Sequence, residues 1–151
     1  MLRALVEQAQ GGDDEAFTTL AGLVGDRCLA IAYRILRDTS RAEDAVQVAL
    51  VSAWRELPNL RDPDRFEAWL HRLLVNACYA EVRRAKRWLV DVRVLDIERG
   101  PAGPDGTVTV DDRDQLERGF RRLPPEQRAV FVFHHYLGLS IPEVAERLDI
   151  P

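Results

Sequence analysis

The sequence predicts an all-α fold of two small helical domains joined by a flexible linker. Apolar residues recur at the i, i+3, i+4, i+7 spacing of a buried helix face through most of the 151 residues. Two Ser-x-x-Glu capping boxes, at Ser40–Glu43 and Ser140–Glu143, mark predicted helix starts. The one strand-like alternation, Val108-Thr109-Val110, is shorter than an ordinary strand, so no sheet competes with the helices.

We expect the first domain to span residues 1–88 and to contain four helices. The first two have apolar residues between Ala16 and Leu23 and between Leu29 and Leu36. The third begins at its Ser40 cap and ends before Pro58. Its predicted apolar face comprises Ala42, Ala45, Val46, Ala49, Leu50, Ala53, Trp54 and Leu57.

The fourth helix is predicted to be the longest. Asp62-Pro63 offers an aspartate cap and a proline at the first helical position, both favourable at a helix start. The apolar periodicity then continues to about Arg87. The side chains expected on its buried face are Phe66, Leu70, Leu73, Leu74 and Ala77.

Residues 89–112 form the predicted linker, because they are acidic and contain several Gly and Pro residues. The second domain is expected to span 113–151. Its apolar stripe of Leu116, Phe120 and Leu123 is followed by a helix restarting at Pro124-Pro125. Gly138 suits the left-handed position that closes a helix, and Ser140 caps the next one. This pattern resembles part of a helix-turn-helix whose recognition helix would follow Pro151; a helical packing module with no DNA role is the alternative.

The net charge of −4 is unevenly distributed along the chain. Residues 61–88 carry seven basic and four acidic side chains, whereas residues 89–117 carry three and eight. Phosphate binding depends on Lys and Arg, so the net charge of +3 in residues 61–88 is compatible with nucleic acid even though the total is acidic.

The basic residues of the fourth helix form one stripe. At about 100° per residue, five polar side chains fall within roughly 60° of one another: Arg65, Arg72, Asn76, Arg83 and Arg87. Trp69 and Tyr79 flank the stripe. Arg binds phosphate, Asn can pair with a base edge, and aromatic rings stack on unpaired bases. The alternative is a solvated face whose Trp and Tyr belong to the core.

Other function classes find little support. Cys28 and Cys78 have neither CxxC spacing nor a neighbouring His, so we expect two buried thiols rather than a disulfide or zinc site. No glycine-rich phosphate loop, GxSxG or HExxH motif is present, and His134 and His135 point about 100° apart on a helix. No apolar run is long enough to span a bilayer. We expect no catalysis, no cofactor, no metal and no membrane insertion, and a cytoplasmic location.

In combination, these segments resemble a bacterial sigma factor of the extracytoplasmic-function (ECF) class, within the sigma-70 family. The resemblance covers nearly the whole chain outside the linker, with matching order and spacing. The segments that carry it are Asp14–Phe17, Ala32–Asp38, Arg41–Gln47, Ala53–Arg55, Arg65–Asn76, Leu123–Arg128 and Leu137–Ala145.

The resemblance implies a subunit that directs core RNA polymerase to promoters. Region 2, the first domain, would bind the β′ clamp helices and capture the melted −10 element as single strand. Region 4, the second domain, would bind the β flap and read the −35 element. The linker would follow the path of nascent RNA, although a solvated tether is the simpler interpretation. The resemblance also implies an anti-sigma factor as a partner.

The site residues follow from this resemblance and from the stripe. The expected −10 contacts are Leu60, Arg65, Trp69, Arg72, Leu73, Asn76, Tyr79, Arg83 and Arg87. The expected polymerase contacts are Asp44, Gln47, Val48 and Arg55.

The sequence departs from the family pattern at three places. Leu60 stands where an aromatic residue is common, which implies weaker base stacking. Val48 and Leu50 stand where Glu and Phe are common. The family also continues beyond Ile150-Pro151 into the −35 recognition helix, so we expect this chain not to read a −35 element alone. The alternative function is a non-initiating module of sigma fold that binds polymerase or an anti-sigma factor.

Overall fold

The computed structural model describes residues 1–95 and 112–151. In these two ranges the chain is helical and contains no strand, which confirms the all-α prediction. Short 3₁₀ turns cover Leu57–Asn59 and Pro63–Arg65, and a π-helical turn covers Val132–Tyr136. The α-helices are α1 Leu2–Gln10, α2 Asp14–Leu36, α3 Thr39–Glu56, α4 Phe66–Leu95, α5 Asp112–Arg122, α6 Pro125–Phe131 and α7 Ile141–Leu148.

Helix α2 is continuous, so the prediction of two separate helices in this region is wrong. The backbone N–H groups of Glu15 and Ala16 donate to the carboxylate of Asp13, which caps the helix. Gly22 and Gly25 lie inside α2 without interrupting it. A helical glycine costs only about 1 kcal/mol relative to alanine, and the buried side chains of α2 more than offset that cost by packing against α1, α3 and α4.

The start of α3 differs from the predicted capping box at Ser40. Arg37 closes α2 in a left-handed conformation (φ 54°), and the extended backbone at Asp38 then starts α3. The Asp38 carboxylate accepts from the N–H of Arg41 at 3.0 Å, and Ser40 already lies in the first turn. Asp38 therefore caps α3 instead of Ser40, because α2 ends at Leu36 and the backbone is already extended at Asp38, two residues before Ser40.

Trp54 is the one residue of the predicted α3 core face that lies largely in solvent, with 54% of its surface exposed. Its indole Nε1 donates to a carboxylate oxygen of Asp14 at 3.2 Å. The buried stripe of α3 consists mainly of alanines, which let α3 approach its neighbours closely. The Trp54 ring is too large for this close helix contact and lies at its edge, in solvent.

Helix α4 begins as predicted and ends later than predicted. Asp62 caps the turn at Pro63–Arg65 by accepting from the N–H of Asp64 at 3.0 Å. The helix continues past Arg87 to Leu95, so the first part of the expected linker 89–112 is helical. The last residue of that expected linker, Asp112, begins α5. Residues 96–111, which include the rest of that linker and Val108-Thr109-Val110, lie outside the described residues.

The turn signals of the second domain are confirmed. Gly138 has φ +70° and follows Leu137, the residue that caps the π-helical turn. The Ser140–Glu143 capping box is complete, since the N–H of Ser140 donates to the Glu143 carboxylate at 2.7 Å and the N–H of Glu143 donates to the Ser140 hydroxyl at 3.4 Å. The π-helical turn itself was not predicted.

One hydrophobic core extends through both domains. Its second-domain members are Ala129, Val132, Phe133 and Val144, which join the buried residues of α1 to α4. Phe133 is fully buried, and its ring centroid lies 5.6 Å from that of His71 on α4. Residues 112–151 are thus packed directly on the first domain.

We expect Leu74→Ala to destabilise the protein by about 2 to 5 kcal/mol, because the fully buried Leu74 leaves a cavity in the shared core. Urea unfolding followed by circular dichroism measures this loss. Leu116→Ala is the matched control, since 73% of Leu116 is exposed. Equal losses in the two variants would contradict the assigned core.

Candidate nucleic-acid interface

The polar stripe predicted from helical spacing is exposed in the structure. Arg72, Asn76, Arg83 and Arg87 lie on the solvent side of α4, and Arg65 lies in the turn before it. The opposite side of α4 packs into the core through its apolar residues. The helix therefore holds the stripe in a fixed orientation.

Three apolar or aromatic candidates occupy the border between the stripe and the core. Trp69, Leu73 and Tyr79 are each half-buried and pack against core residues. The Trp69 ring centroid lies 6.0 Å from that of Phe66. Burial, with smaller contributions from Glu126 and Cys78, raises the pKa of Tyr79 to about 12, so its hydroxyl is protonated near neutral pH.

A cavity of about 400 Å³ brings four of the predicted −10 contacts together. Its first-domain wall includes Leu60, Arg65, Trp69 and Arg72. Its opposite wall is α7, through Glu143, Glu146 and Arg147. Asn76, Arg83 and Arg87 do not line this cavity and lie further along α4. The α7 residues were missed from the sequence, because no local pattern links them to α4.

Both first-domain arginines of the cavity contact negative groups on α7. The Arg72 guanidinium donates to the backbone carbonyl of Glu146 at 3.2 Å. An Arg65 nitrogen lies 3.6 Å from the Glu146 carboxylate. The last carbonyls of a helix carry partial negative charge, and the Glu146 carboxylate carries a full negative charge. Both contacts therefore place negative charge beside an arginine, as a bound phosphate would.

His71 anchors α7 from within the core. Its Nδ1 lies 2.9 Å from the Arg147 guanidinium, which can only donate, so Nδ1 accepts and the proton of the neutral ring lies on Nε2. Nε2 is 4.0 Å from the Glu67 carboxylate. Burial lowers the pKa of His71 to about 4, with added lowering from the positive charges of Arg147 and Arg27.

The exposed face of α3 contains the four expected polymerase contacts. Asp44, Gln47, Val48 and Arg55 are all exposed. Val51 and Trp54 are also exposed on this side of the helix, at 43% and 54%. Large apolar side chains beside charged ones are typical of protein interfaces. Neither Val51 nor Trp54 was predicted as an interface residue, and Trp54 was expected in the core.

A second, larger groove of about 990 Å³ lies between α5, α6 and the π-helical turn, beside the end of α2. Its walls include the predicted stripe residues Leu116, Phe120 and Leu123, together with Phe131 and Tyr136. The rings of Phe120 and Phe131 meet edge to face with centroids 5.6 Å apart. The sequence predicted the apolar stripe of Leu116, Phe120 and Leu123, but it contains no signal that this apolar stripe lines a groove.

The remaining candidates give no further site. Cys28 and Cys78 are buried free thiols, as expected, and burial raises their pKa values to about 11 and 12. Within residues 1–95 and 112–151, no three His, Cys, Asp or Glu side chains are grouped to hold a metal ion. None of the helices in the described part of the chain is long and apolar enough to cross a membrane.

Comparison with known proteins gives two family matches. Residues 20–88 match the model described as Sigma-70 region 2, and residues 113–151 match the model described as Sigma-70, region 4. The chain is 25% identical to the ECF RNA polymerase sigma factor SigW of Bacillus subtilis, over 100% of this chain and 87% of SigW.

Two further similar proteins are also sigma factors. The chain is 28% identical to the RNA polymerase sigma-H factor of Pseudomonas aeruginosa, over 97% of this chain and 82% of the relative. It is 36% identical to the ECF RNA polymerase sigma factor SigM of Mycobacterium tuberculosis, over 78% of this chain and 60% of SigM.

The buried His71 predicts a specific pH dependence of stability. Its pKa is about 4 in the folded chain and about 6.5 when unfolded. The unfolded state therefore binds the proton first, and the free energy of unfolding falls as the pH drops from 6.5 toward 4. The expected loss from this group is about 2 kcal/mol by pH 5.

Urea unfolding at pH 7, 6 and 5 measures this dependence in the wild-type chain and in His71→Gln, which has no titrating ring. We expect the wild-type chain to lose more stability than the variant over this range. Parallel profiles would show that His71 does not hold its depressed pKa.

Proposed function

The chain belongs to the ECF class of the sigma-70 family and is an RNA polymerase sigma factor acting in transcription initiation, and from that premise we propose which surfaces contact DNA and polymerase. The −10 element binds the α4 stripe and the first-domain wall of the cavity. The core polymerase binds the exposed face of α3. The observation that carries the proposal is the exposed row of arginines beside a cavity with an aromatic wall.

The cavity suits an unstacked base of the melted −10 element. Leu60 and Trp69 supply apolar and aromatic surface, and Arg65 and Arg72 supply positive charge for the adjoining phosphates. Asn76 lies one helical turn beyond Arg72 and can pair with a base edge. Leu73 and Tyr79 support the stripe from the core side, and Arg83 and Arg87 extend it along the strand.

Helix α1 supports this site from residues that precede the region 2 match. The Gln10 side-chain amide donates to the carbonyls of Leu57 at 3.1 Å and Leu60 at 2.7 Å. These bonds fix the loop that presents Leu60. We therefore include α1 in the −10 binding domain, which we take as residues 1–88, and we take residues 113–151 as the region 4 domain.

The face of α3 that includes Asp44, Gln47, Val48 and Arg55 contacts the β′ clamp helices. Val51 and Trp54 add apolar contact area on the same side. The groove at Leu116 and Phe131 receives the β flap, since it is apolar and open. An anti-sigma factor competes for these faces. The protein works in the cytoplasm with the polymerase and has no catalytic activity of its own.

We expect Arg72→Ala and Asn76→Ala each to weaken −10 binding by about tenfold, since each removes a contact worth about 1 to 3 kcal/mol. Core polymerase and the chain first transcribe sheared genomic DNA of the source organism, and RNA 5′ ends identify promoters. A fluorescent single strand with the −10 sequence found there is then titrated into the reconstituted holoenzyme.

Arg118→Ala is the control for this titration, because Arg118 is an exposed arginine on α5, away from the stripe. The control is expected to bind the strand as the wild-type chain does. Unchanged affinity in both stripe variants would contradict the −10 assignment, and binding of core without any transcript would favour a non-initiating module.

Asp44→Arg is expected to weaken binding to core polymerase at least tenfold, because it reverses a charge at the centre of the α3 face. Asp26→Arg, on the exposed side of α2, is the matched charge reversal and is expected to bind normally. Competition against a labelled sigma factor for core measures both. Equal affinity of the two variants would contradict the assigned polymerase face.

A further inference from the structure

We propose that Gln10, the last residue of α1, is a positioning residue for base selection at the −10 site. It fixes the backbone of the loop at residues 57–65, so that Leu60 accepts one base of the strand and rejects the others. This inference rests on the proposed −10 site and adds how that site distinguishes between bases. Gln10 itself lies outside the region 2 match, which begins at residue 20.

A single side-chain amide bridges the two ends of the short turn that leads to Leu60. The Nε2 of Gln10 donates to the carbonyl of Leu57 at 3.1 Å and to that of Leu60 at 2.7 Å. The N–H of Leu60 donates to the same Leu57 carbonyl at 3.0 Å. A primary amide has two N–H donors, so both donors of Gln10 are used on the loop backbone. The amide therefore holds the first and last residues of this turn at a fixed separation.

The bond to Leu60 also fixes the peptide unit that follows it. The peptide between Leu60 and Arg61 is planar and trans. Its carbonyl is directed toward α1 by the bond from Gln10, so the N–H of Arg61 points away from α1. Rotation of this peptide would move both the Leu60 side chain and the Arg61 N–H. Gln10 thus determines which surface the loop presents at the cavity wall.

The freedom of the loop is confined to the segment that Gln10 holds. Leu57 is buried with 1% of its surface exposed, and Asp62 caps the second 3₁₀ turn. Pro58 and Pro63 each have a φ angle fixed by their rings. The residues between these fixed points are 59–61, which are exposed or half-buried. Because a selective site must hold its groups within about 0.5 Å, loss of the Gln10 bonds would loosen the part of the loop that meets the strand.

Helix α1 does not need these bonds for its own attachment. Val6 is fully buried, and Leu5 and Ala9 pack against the core. The Arg3 guanidinium donates to the Asp64 carboxylate at 2.6 Å, at the far end of the loop. Helix α1 also packs against both 3₁₀ turns. It is therefore a fixed support, and Gln10 acts on the shape of the loop rather than on the fold.

The test measures base selection with the reconstituted holoenzyme and the −10 single strand identified by transcription. Strands in which one base at a time is replaced give a penalty at each position, as the ratio of the Kd of the replaced strand to that of the original. Leu60→Ala identifies the position that the loop reads, since its penalty falls there. Gln10→Leu removes both donors with little change in size, and Gln10→Lys retains donors on a side chain of similar reach. Gln8→Leu is the matched control, because Gln8 is an exposed residue of α1.

A wrong base typically costs about tenfold or more in affinity at a position that is read. We expect Gln10→Leu to reduce this penalty to about twofold at the position identified by Leu60→Ala and to leave the other penalties unchanged. Gln10→Lys and Gln8→Leu are expected to retain the wild-type penalties. Urea unfolding of each variant measures stability, since a general loss of folded chain weakens the binding of every strand alike.

Wild-type penalties in Gln10→Leu would overturn the proposal, and so would a loss at every position or at a position other than the one found with Leu60→Ala. An equal loss in Gln10→Lys would overturn the role of the donors. Gln10→Ala, which adds no apolar bulk, repeats the measurement if Gln10→Leu does not fold. Failure of the −10 site itself would appear separately, as unchanged affinity of Arg72→Ala and Asn76→Ala for the original strand.

Discussion

The burial of one side of α4 is the constraint on which the site depends. Leu70, Leu74 and Cys78 fix that side in the core with almost no exposed surface. The helical period then determines which residues face outward, and these are the arginines and Asn76 of the stripe. Rotation of the helix would have to expose several large apolar side chains, so the core also positions the face that we propose to bind DNA. The second domain packs against the same helix through α6 and α7.

The contacts between the domains are apolar and buried at their centre and charged and exposed at their edge. Phe133 and Val144 are buried, which favours the closed arrangement through apolar burial. At the proposed −10 site, by contrast, Arg65 and Glu146 are each about 70% exposed, and ion pairs so exposed contribute little stability. A polyanion can compete for these arginines more easily than for the buried contacts.

Local signals in the sequence predicted α4, the stripe and several turns, whereas α1 and the continuity of α2 were not predicted. The periodicity of α4, the cap at Asp62, Gly138 and the Ser140–Glu143 box each act over a few residues, and each appears as expected. Errors arose where a neighbouring element decides the outcome. The end of α2 makes Asp38 the cap instead of Ser40, and close helix packing excludes Trp54 from the core.

The cavity at Leu60 could not be predicted, because its two walls come from segments more than 70 residues apart in the chain. We propose that the −10 strand binds between this loop and the stripe. Photocrosslinking of a −10 strand with reactive bases to the holoenzyme, followed by mass spectrometry, is the most direct test of this binding mode. We expect crosslinked peptides within residues 60–76. Crosslinks confined to α3 or to α5–α7 would contradict it.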